Sequence, residues 1–347
     1  MSRVALSLIM MASMLGGYLI YTPEYVPPTE EVVEIVEEKP QEPEVFDFVV
    51  TFTGDCLLAS PENQTTAGSF NEYTNNQPPT YFLEKVAPIF EKDDYTIVNL
   101  ETVLSDNKLQ KISKDHSPAY WYYSKASNTD ILTSSSVEAV SLANNHYGDY
   151  GEKGRQDTIA AVEAAGLLYG TNDKTFYLEK NGYRIAVICH GLWSDWQSRD
   201  IIARIQKEEA NSDFQIVYYH GGKERVHKPE QWRINASRKL VDAGADLVVG
   251  NHPHVLQPME NYNGVDIIYS MGNFCFGHGK RPENRTVIYQ LTLKITNEGE
   301  LKTKLWELIP CYVYTGEINN YQPAPIVDET EKQIVLDFMQ GIRELPY

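Results

Sequence analysis

Short apolar runs that end in small or polar turn residues recur along this chain, separated by stretches of helical spacing. FDFVVTFTGD (46–55) predicts a buried strand closing on Gly54-Asp55. Residues 81–90 have helical spacing, YTIVNLE (95–101) predicts a second strand and SVEAVSLANNH (136–146) a third. Residues 154–165 read as a helix with Gly166 as its cap. Strands follow at 184–191, 214–222 and 245–252, with a helix at 230–243 whose apolar positions are Trp232, Ala236, Leu240 and Ala243. VDIIYSMGNF (265–274) and TVIYQLTLKI (286–295) are further strands. The stretch 301–313 alternates as an antiparallel return, and 329–343 predicts a C-terminal helix. Strand–helix alternation followed by hairpins predicts a layered α/β sandwich with mixed sheets. No repeat of fixed period is present.

The N-terminus has a different character. Arg3 precedes an uncharged stretch of about 18 residues, near the minimum for a membrane span. Residues 1–22 are therefore expected to be an uncleaved anchor, with the Arg3 end inside and the body on the extracytoplasmic face. A cleavable signal peptide, which would make the protein secreted, is the alternative. Residues 23–44 carry five prolines, and from Glu24 to Glu44 there are eight Glu and one Lys. That composition predicts an extended, self-repelling linker. The folded domain is expected over 45–347.

Composition narrows the function further. Hydrophobic residues make up 42% of the 347, enough for a substantial core, and the net charge is −18. Nucleic-acid binders need a basic face, so no nucleic-acid partner is expected. Cys56, Cys189, Cys275 and Cys311 form no C-x-x-C pair, and their apolar surroundings make them core residues rather than zinc ligands.

The candidate chemistry lies at the ends of the predicted strands. His146, His220, His252 and His254 fall in three segments, SLANNHYGDYG, YYHGGKE and GNHPHVLQP. Neutral imidazole is a common ligand of transition metals. His252-x-His254 in an extended segment would aim both rings the same way. Asp55 and Glu101 end two strands and offer carboxylate oxygens, although either type also occurs in ordinary turns. Asn145 offers an amide oxygen, and His146 with Asp149 three residues on has the spacing of an oriented general acid. Glu224, Asn144 and Asn273 are candidate substrate contacts. His190 and His278 are candidates for supporting the site, and His116 and His227 read as surface residues. Lys223, Arg225 and Lys228, with Lys280, Arg281 and Arg285, could form basic rims. AYWYYS (119–124) fits either a lid or core.

Together, TGDCLLA, IVNLET, SLANNHYGDYGEKG, HGGKE, AGADLVVGNHPHVLQPME and IYSMGNFCFG resemble the bacterial capsule-synthesis CapA family, the poly-γ-glutamate capsule proteins. The matching stretches run in the family's order from Val50 to Gly277. The family is similar in turn to calcineurin-like metallophosphoesterases. That likeness implies a four-layer α/β/β/α sandwich holding two divalent metals, with Mn, Fe or Zn suited to such donors. It implies that Asp55, Glu101, Asn145, His220, His252 and His254 are ligands, with Glu101 bridging, and that His146 is the acid beside the leaving group.

Three departures accompany the resemblance. The usual Asp-x-His block has Leu57 in place of the histidine, so one metal position is expected to be weak, empty or completed by another residue. The second block has Glu101 in place of Asp, and Gly221-Gly222 replaces the usual Trp-Gly. The expected function is a cell-surface, metal-dependent hydrolase acting on phosphoester or amide bonds of an anionic envelope polymer. The alternative is a non-catalytic metal- or polymer-binding scaffold of a capsule synthesis complex.

Overall fold

The computed structural model describes residues 43–61, 67–115, 117–277 and 283–344. The candidate anchor and nearly all of the linker, together with His116, His278, Lys280 and Arg281, lie outside the described residues. Among the described residues, no helix is long and apolar enough to cross a membrane.

The first half of the fold contains β1 (Val45–Leu57), α1 (Phe70–Asn76), α2 (Ala87–Phe90), β2 (Tyr95–Leu100), β3 (Val103–Leu104), β4 (Tyr123–Ser124), α3 (Thr129–Thr133), β5 (Ala139–Ser141), α4 (Gly151–Ala164) and β6 (Leu168–Gly170). The second half contains β7 (Phe176–Lys180), β8 (Tyr183–Gly191), α5 (Ser198–Glu208), β9 (Phe214–His220), α6 (Gln231–Asp242), β10 (Leu247–Asn251), β11 (Leu256–Tyr262) and β12 (Val265–Met271). A return follows through β13 (Asn273–Phe276), β14 (Arg285–Thr296), β15 (Leu301–Tyr312), β16 (Ala324–Pro325) and α7 (Glu329–Met339).

Two mixed sheets result. One runs β16-β15-β14-β1-β2-β5-β6, with β13 also pairing β1; the other runs β11-β12-β10-β9-β8-β7. β1, β2, β5 and β6 are mutually parallel, as are β8, β9, β10 and β12. The hairpin β14–β15 adds to β1 antiparallel.

The core clusters define four layers. Phe48, Val50 and Phe52 of β1 meet Val187, Ile216, Tyr218 and Val249 between the sheets. Phe52 is completely buried, with its ring 5.7 Å from Tyr218 and 6.4 Å from Tyr289. Truncating such a ring to Ala costs about 3–5 kcal/mol. Val98, Leu100 and Val140 point the other way, onto Phe90, Leu132 and Val162 of the first helical layer. Ile188, Val217 and Val248 do the same against Ile201, Ile205, Ala236 and Leu240 of α5 and α6. Strands covered on both faces explain the near-continuous apolar runs. The protein is a four-layer α/β/β/α sandwich.

Several boundaries differ from the sequence pattern, each for a local reason. Only Ala87–Phe90 of the expected 81–90 helix is α-helical, because Pro88 has no N–H to bond back to residue 84 and is tolerated only in a helix's first turn. The third strand shrinks to Ala139–Ser141, and the rest of its apolar run becomes the loop that carries Asn144 to His146. The 265–274 run splits at Gly272, whose φ of +76° turns the chain from one sheet into the other. In the first turn of α6 it is Arg233, not Trp232, that is fully buried. Its guanidinium bonds the carbonyls of Gly221 and Tyr269 and the side chain of Gln257. His227 is half-buried, bonded to the Leu256 carbonyl and set against Phe338, so it is not a surface residue. All four cysteines are buried and free.

At the other end of β1 and β2, burial pushes the Asp93 carboxyl up to about 7 despite hydrogen bonds from Thr51 and Thr96. The folded state then keeps a proton that the unfolded chain releases near pH 3.8. Stability from this group is present below that value and is lost as pH rises through about 7. Between about pH 5 and pH 8, urea midpoints should fall more for the native protein than for Asp93→Asn. Equal pH dependence of the two proteins would refute the assignment.

Candidate metal centre

The site forms where the parallel strands of both sheets end, on the carboxyl side that open α/β sheets use for ligands. Asp55, near the end of β1, stands opposite Asn99 on β2 and Asn273 on β13. A close approach fixes it. Asp55 N–H donates to the Gly272 carbonyl at 2.8 Å, and a Cβ on Gly54 would come within 2.2 Å of that oxygen. Glu101 follows β2, two residues past Asn99 and on the same face of the extended chain. His220 is the last residue of β9, in register with Asn251 of β10. His252 and His254 follow β10 in a turn, with φ of +100° and +57°. They do not occupy an extended segment. Two left-handed backbones, costly for non-glycine residues, aim these rings.

Asp55, Glu101 and His220 bring ligand atoms within 4.8 Å of one another. Each carboxylate spans two histidines. Asp55 Oδ1 lies 3.8 Å from His220 Nδ1, and its Oδ2 lies 3.1 Å from His254 Nδ1. Glu101 Oε1 is 3.8 Å from His220 Nδ1 and Oε2 is 3.9 Å from His254 Nε2. His220 Nε2 is 2.9 Å from Asn145 Oδ1 and 3.0 Å from His252 Nδ1. Trp193, in the loop after β8, covers His252 at 4.9 Å and His220 at 5.7 Å between ring centroids.

The charges in this cluster call for a cation. Burial raises the Asp55 carboxyl, but the hydrogen bond and charge of His254 and the charge of His220 bring it below the usual carboxylate range. Burial pushes His220 down to about 3 and His252 well below its ordinary value, so both rings are neutral at pH 7. Asp55 and Glu101 are thus fully buried beside His220, which burial keeps neutral, and a buried carboxylate is costly unless compensated. The buried Oδ1 of Asn251, next to His252, has no hydrogen-bond partner among the described residues. Ligand atoms on one ion with bonds of about 2.1 Å stand about 3–3.5 Å apart. The residues fit a divalent metal with N/O ligands. Burial pushes the Cys56 thiol up to about 12, which disfavours a thiolate ligand there.

Beside this cluster, His146 Nδ1 is 2.9 Å from Asp149 Oδ2. The second carboxylate oxygen of Asp149 pairs with Lys114 at 2.5 Å, and Tyr122 N–H donates to Oδ2 at 3.0 Å. The Tyr122 ring lies edge-on to His146 at 4.5 Å. The AYWYYS stretch thus packs over the His146–Asp149 pair. Burial lowers the His146 pKa, opposed by the bond to Asp149.

Other candidates have supporting positions. Asn144 braces the loop, donating to the Leu100 carbonyl at 2.8 Å and accepting from His146 N–H at 3.1 Å. Asn273 Oδ1 is 3.0 Å from His254 Nδ1. Glu224 is exposed, with a carboxylate oxygen within 4.8 Å of His252 and His254 nitrogens. Lys223, Arg225 and Lys228 are exposed, whereas Arg285 is tied to Glu331. His190 lines a separate cavity of about 550 Å³ with Arg204 and Glu208. Gly221 leaves no room for a side chain, since a Cβ there would lie 1.8 Å from the Leu192 carbonyl oxygen.

Sequence reasoning missed Asn99. Its Nδ2 lies 2.8 Å from Asp55 Oδ1, 3.1 Å from Glu101 Oε1 and 2.9 Å from His220 Nδ1. The signal was present, because strand alternation puts residue 99 on the face of residue 101. Lys114 and Trp193 reach the site only through long-range folding, and nothing local marks them.

Residues 49–278 match the family model described as bacterial capsule synthesis protein PGA_cap. The chain belongs to this family. It is 28% identical to the PGA biosynthesis protein CapA of Bacillus subtilis (strain 168), over 86% of this chain and 80% of that protein. It is also 28% identical to the capsule biosynthesis protein CapA of Bacillus anthracis, over 83% and 72% respectively. Among solved structures, a 5'-nucleotidase precursor from Thermus thermophilus aligns with a TM-score of 0.44 and 12% identity, covering 86% of this chain and 59% of that one. The family match includes Asp55, Asn99, Glu101, His146, His220, His252 and His254.

Asn99→Leu should weaken divalent-metal binding about 10–100-fold, as loss of a group orienting the ligands typically does. Titration of Mn²⁺ into chelator-stripped protein measures this, and an affinity equal to that of the native chain would remove Asn99 from the site.

Proposed function

We propose that this protein acts in the synthesis or export of a capsule polymer of the poly-γ-glutamate type, as a metal-dependent hydrolase of phosphoester or amide bonds. The observation that carries the reading is the pair of buried carboxylates, Asp55 and Glu101, spanning His220 and His254 beside an oriented His146–Asp149 pair. Membership of the capsule synthesis family and the names of the two Bacillus relatives support the process. The proposed location is the extracytoplasmic face of the membrane, anchored through residues 1–22, with an anionic polymer or its synthesis complex as partner.

Divalent metal held by Asp55, Glu101, Asn145, His220, His252 and His254 would supply a nucleophilic hydroxide at neutral pH and polarise the bond under attack. The chain's own residues do the rest. Asp149, held by Lys114 and the Tyr122 amide, accepts from His146 Nδ1–H. Nε2 is then the nitrogen that exchanges a proton with the leaving group. Asn144 fixes the loop that carries His146, and Trp193 keeps water from one side of His252. Exposed Lys223, Arg225 and Lys228 offer contacts to an anionic chain.

One observation favours the second reading, a non-catalytic metal- or polymer-binding scaffold. Leu57, at the position where the resemblance expects a histidine, is packed in an apolar cluster with Ala59, Tyr122 and Phe276.

Mn²⁺-loaded protein should hydrolyse bis(p-nitrophenyl) phosphate or shorten poly-γ-glutamate. His146→Gln should slow turnover about 10²–10⁴-fold with metal content unchanged, as for loss of a general acid. His252→Ala should lose both turnover and metal. Full turnover in metal-stripped protein would refute the hydrolase reading, and metal binding without turnover on either substrate would favour the scaffold.

A further inference from the structure

The apolar residue at position 57 raises the question of what completes the His252–His254 side of the centre. Leu57 belongs to a buried apolar cluster, and Phe276 of that cluster lies 5.0 Å from His254. No donor reaches the rings from that direction through position 57. From the opposite loop, Glu224 brings a carboxylate oxygen within 4.8 Å of nitrogens on both His252 and His254.

The backbone holds this approach in place. Gly221 N–H donates to the Asn251 carbonyl at 3.0 Å, and Arg225 N–H donates to the Pro253 carbonyl at 2.8 Å. These two bonds tie the 221–225 loop to the turn that carries His252 and His254. Gly222 and Arg225 take φ of +109° and +59°, so the loop folds sharply back over that turn. Arg233, fully buried, anchors the loop from beneath through the Gly221 carbonyl. Among the described residues, no side chain pairs with the Glu224 carboxylate. Exposed Lys223 and Arg225 flank it in sequence without forming an ion pair with it among those residues.

We propose that Glu224 is a metal ligand which, with His252 and His254, forms a second divalent-cation position next to the one framed by Asp55, Glu101 and His220. This rests on the metal-centre reading above and assigns Glu224 to the ion rather than to substrate. The donor missing at Leu57 is supplied by a carboxylate from a different strand end. Asp55 Oδ2 and Glu101 Oε2 already face His254, so the two positions share carboxylates. A carboxylate in place of an imidazole adds one negative charge, which suits harder divalent cations such as Mn²⁺.

The test is Mn²⁺ titration of the chelator-stripped full-length chain in detergent, read by calorimetric stoichiometry and by electron paramagnetic resonance. The native protein should bind two ions per chain with an exchange-coupled spectrum. Glu224→Gln should bind one, with an uncoupled spectrum, while Lys223→Gln keeps two. Glu224 is exposed, so Glu224→Gln should melt with the native protein and its lost ion cannot be ascribed to unfolding. Two coupled ions in Glu224→Gln would overturn the proposal, and so would a single uncoupled ion in the native chain; both leave the metal centre itself standing. No ion in the native chain would overturn the centre and the proposal together.

Discussion

Two carboxylates without exposure to water, Asp55 and Glu101, dominate the energetics of this protein's functional end. Burial of a charge is tolerated only with compensation. The surrounding architecture is organised around this cost. The amide of Asn99 is directed at Asp55, Glu101 and His220 together. The His252 N–H donates to Asp55 Oδ2 at 3.2 Å, and left-handed backbones hold both histidines of the turn on the carboxylates. These features make sense together if a divalent cation supplies the missing charge.

The sandwich explains how such a cluster can be assembled. Two sheets meet face to face over a core of β1, β9, β10 and β14 side chains, which leaves the ends of their parallel strands side by side. β13 leaves the second sheet at Gly272 and pairs with β1, joining the sheets next to Asp55. Close glycine contacts at Gly54 and Gly221 fall in segments that carry ligands. Rigid strand ends set the carboxylates and His220, and short hydrogen-bonded loops set the remaining groups.

Departures from the expected motifs fall on two sides of the centre. Leu57 is apolar, residue 221 has space only for glycine, and an aromatic cover comes instead from Trp193. Changes in neighbouring positions are coupled by packing. A side chain lost at one point leaves space or charge that a neighbour must take up. In the reading proposed above, Glu224 takes up the position that Leu57 leaves without a donor.

Much was legible before folding. Apolar runs ending in Gly-Asp, Asn-Asn-His and Gly-Asn-His marked most of the long strands and the ends that carry chemistry, because burial on both faces and turn chemistry are written locally. The i, i+3 spacing of His146 and Asp149 matched their 2.9 Å contact for the same reason. Asn99 was readable from strand alternation alone. The split at Gly272, the collapse of the third strand to three residues and the convergence of Glu224 on His252 and His254 were not readable. Nor was the pairing of Lys114 with Asp149, 35 positions away in the chain. Local pattern determined which residues could form strands and which could act as ligands. Which of them share one site was decided by close approach of the two sheets and by loop hydrogen bonds between distant segments, and neither leaves a trace at short sequence separation.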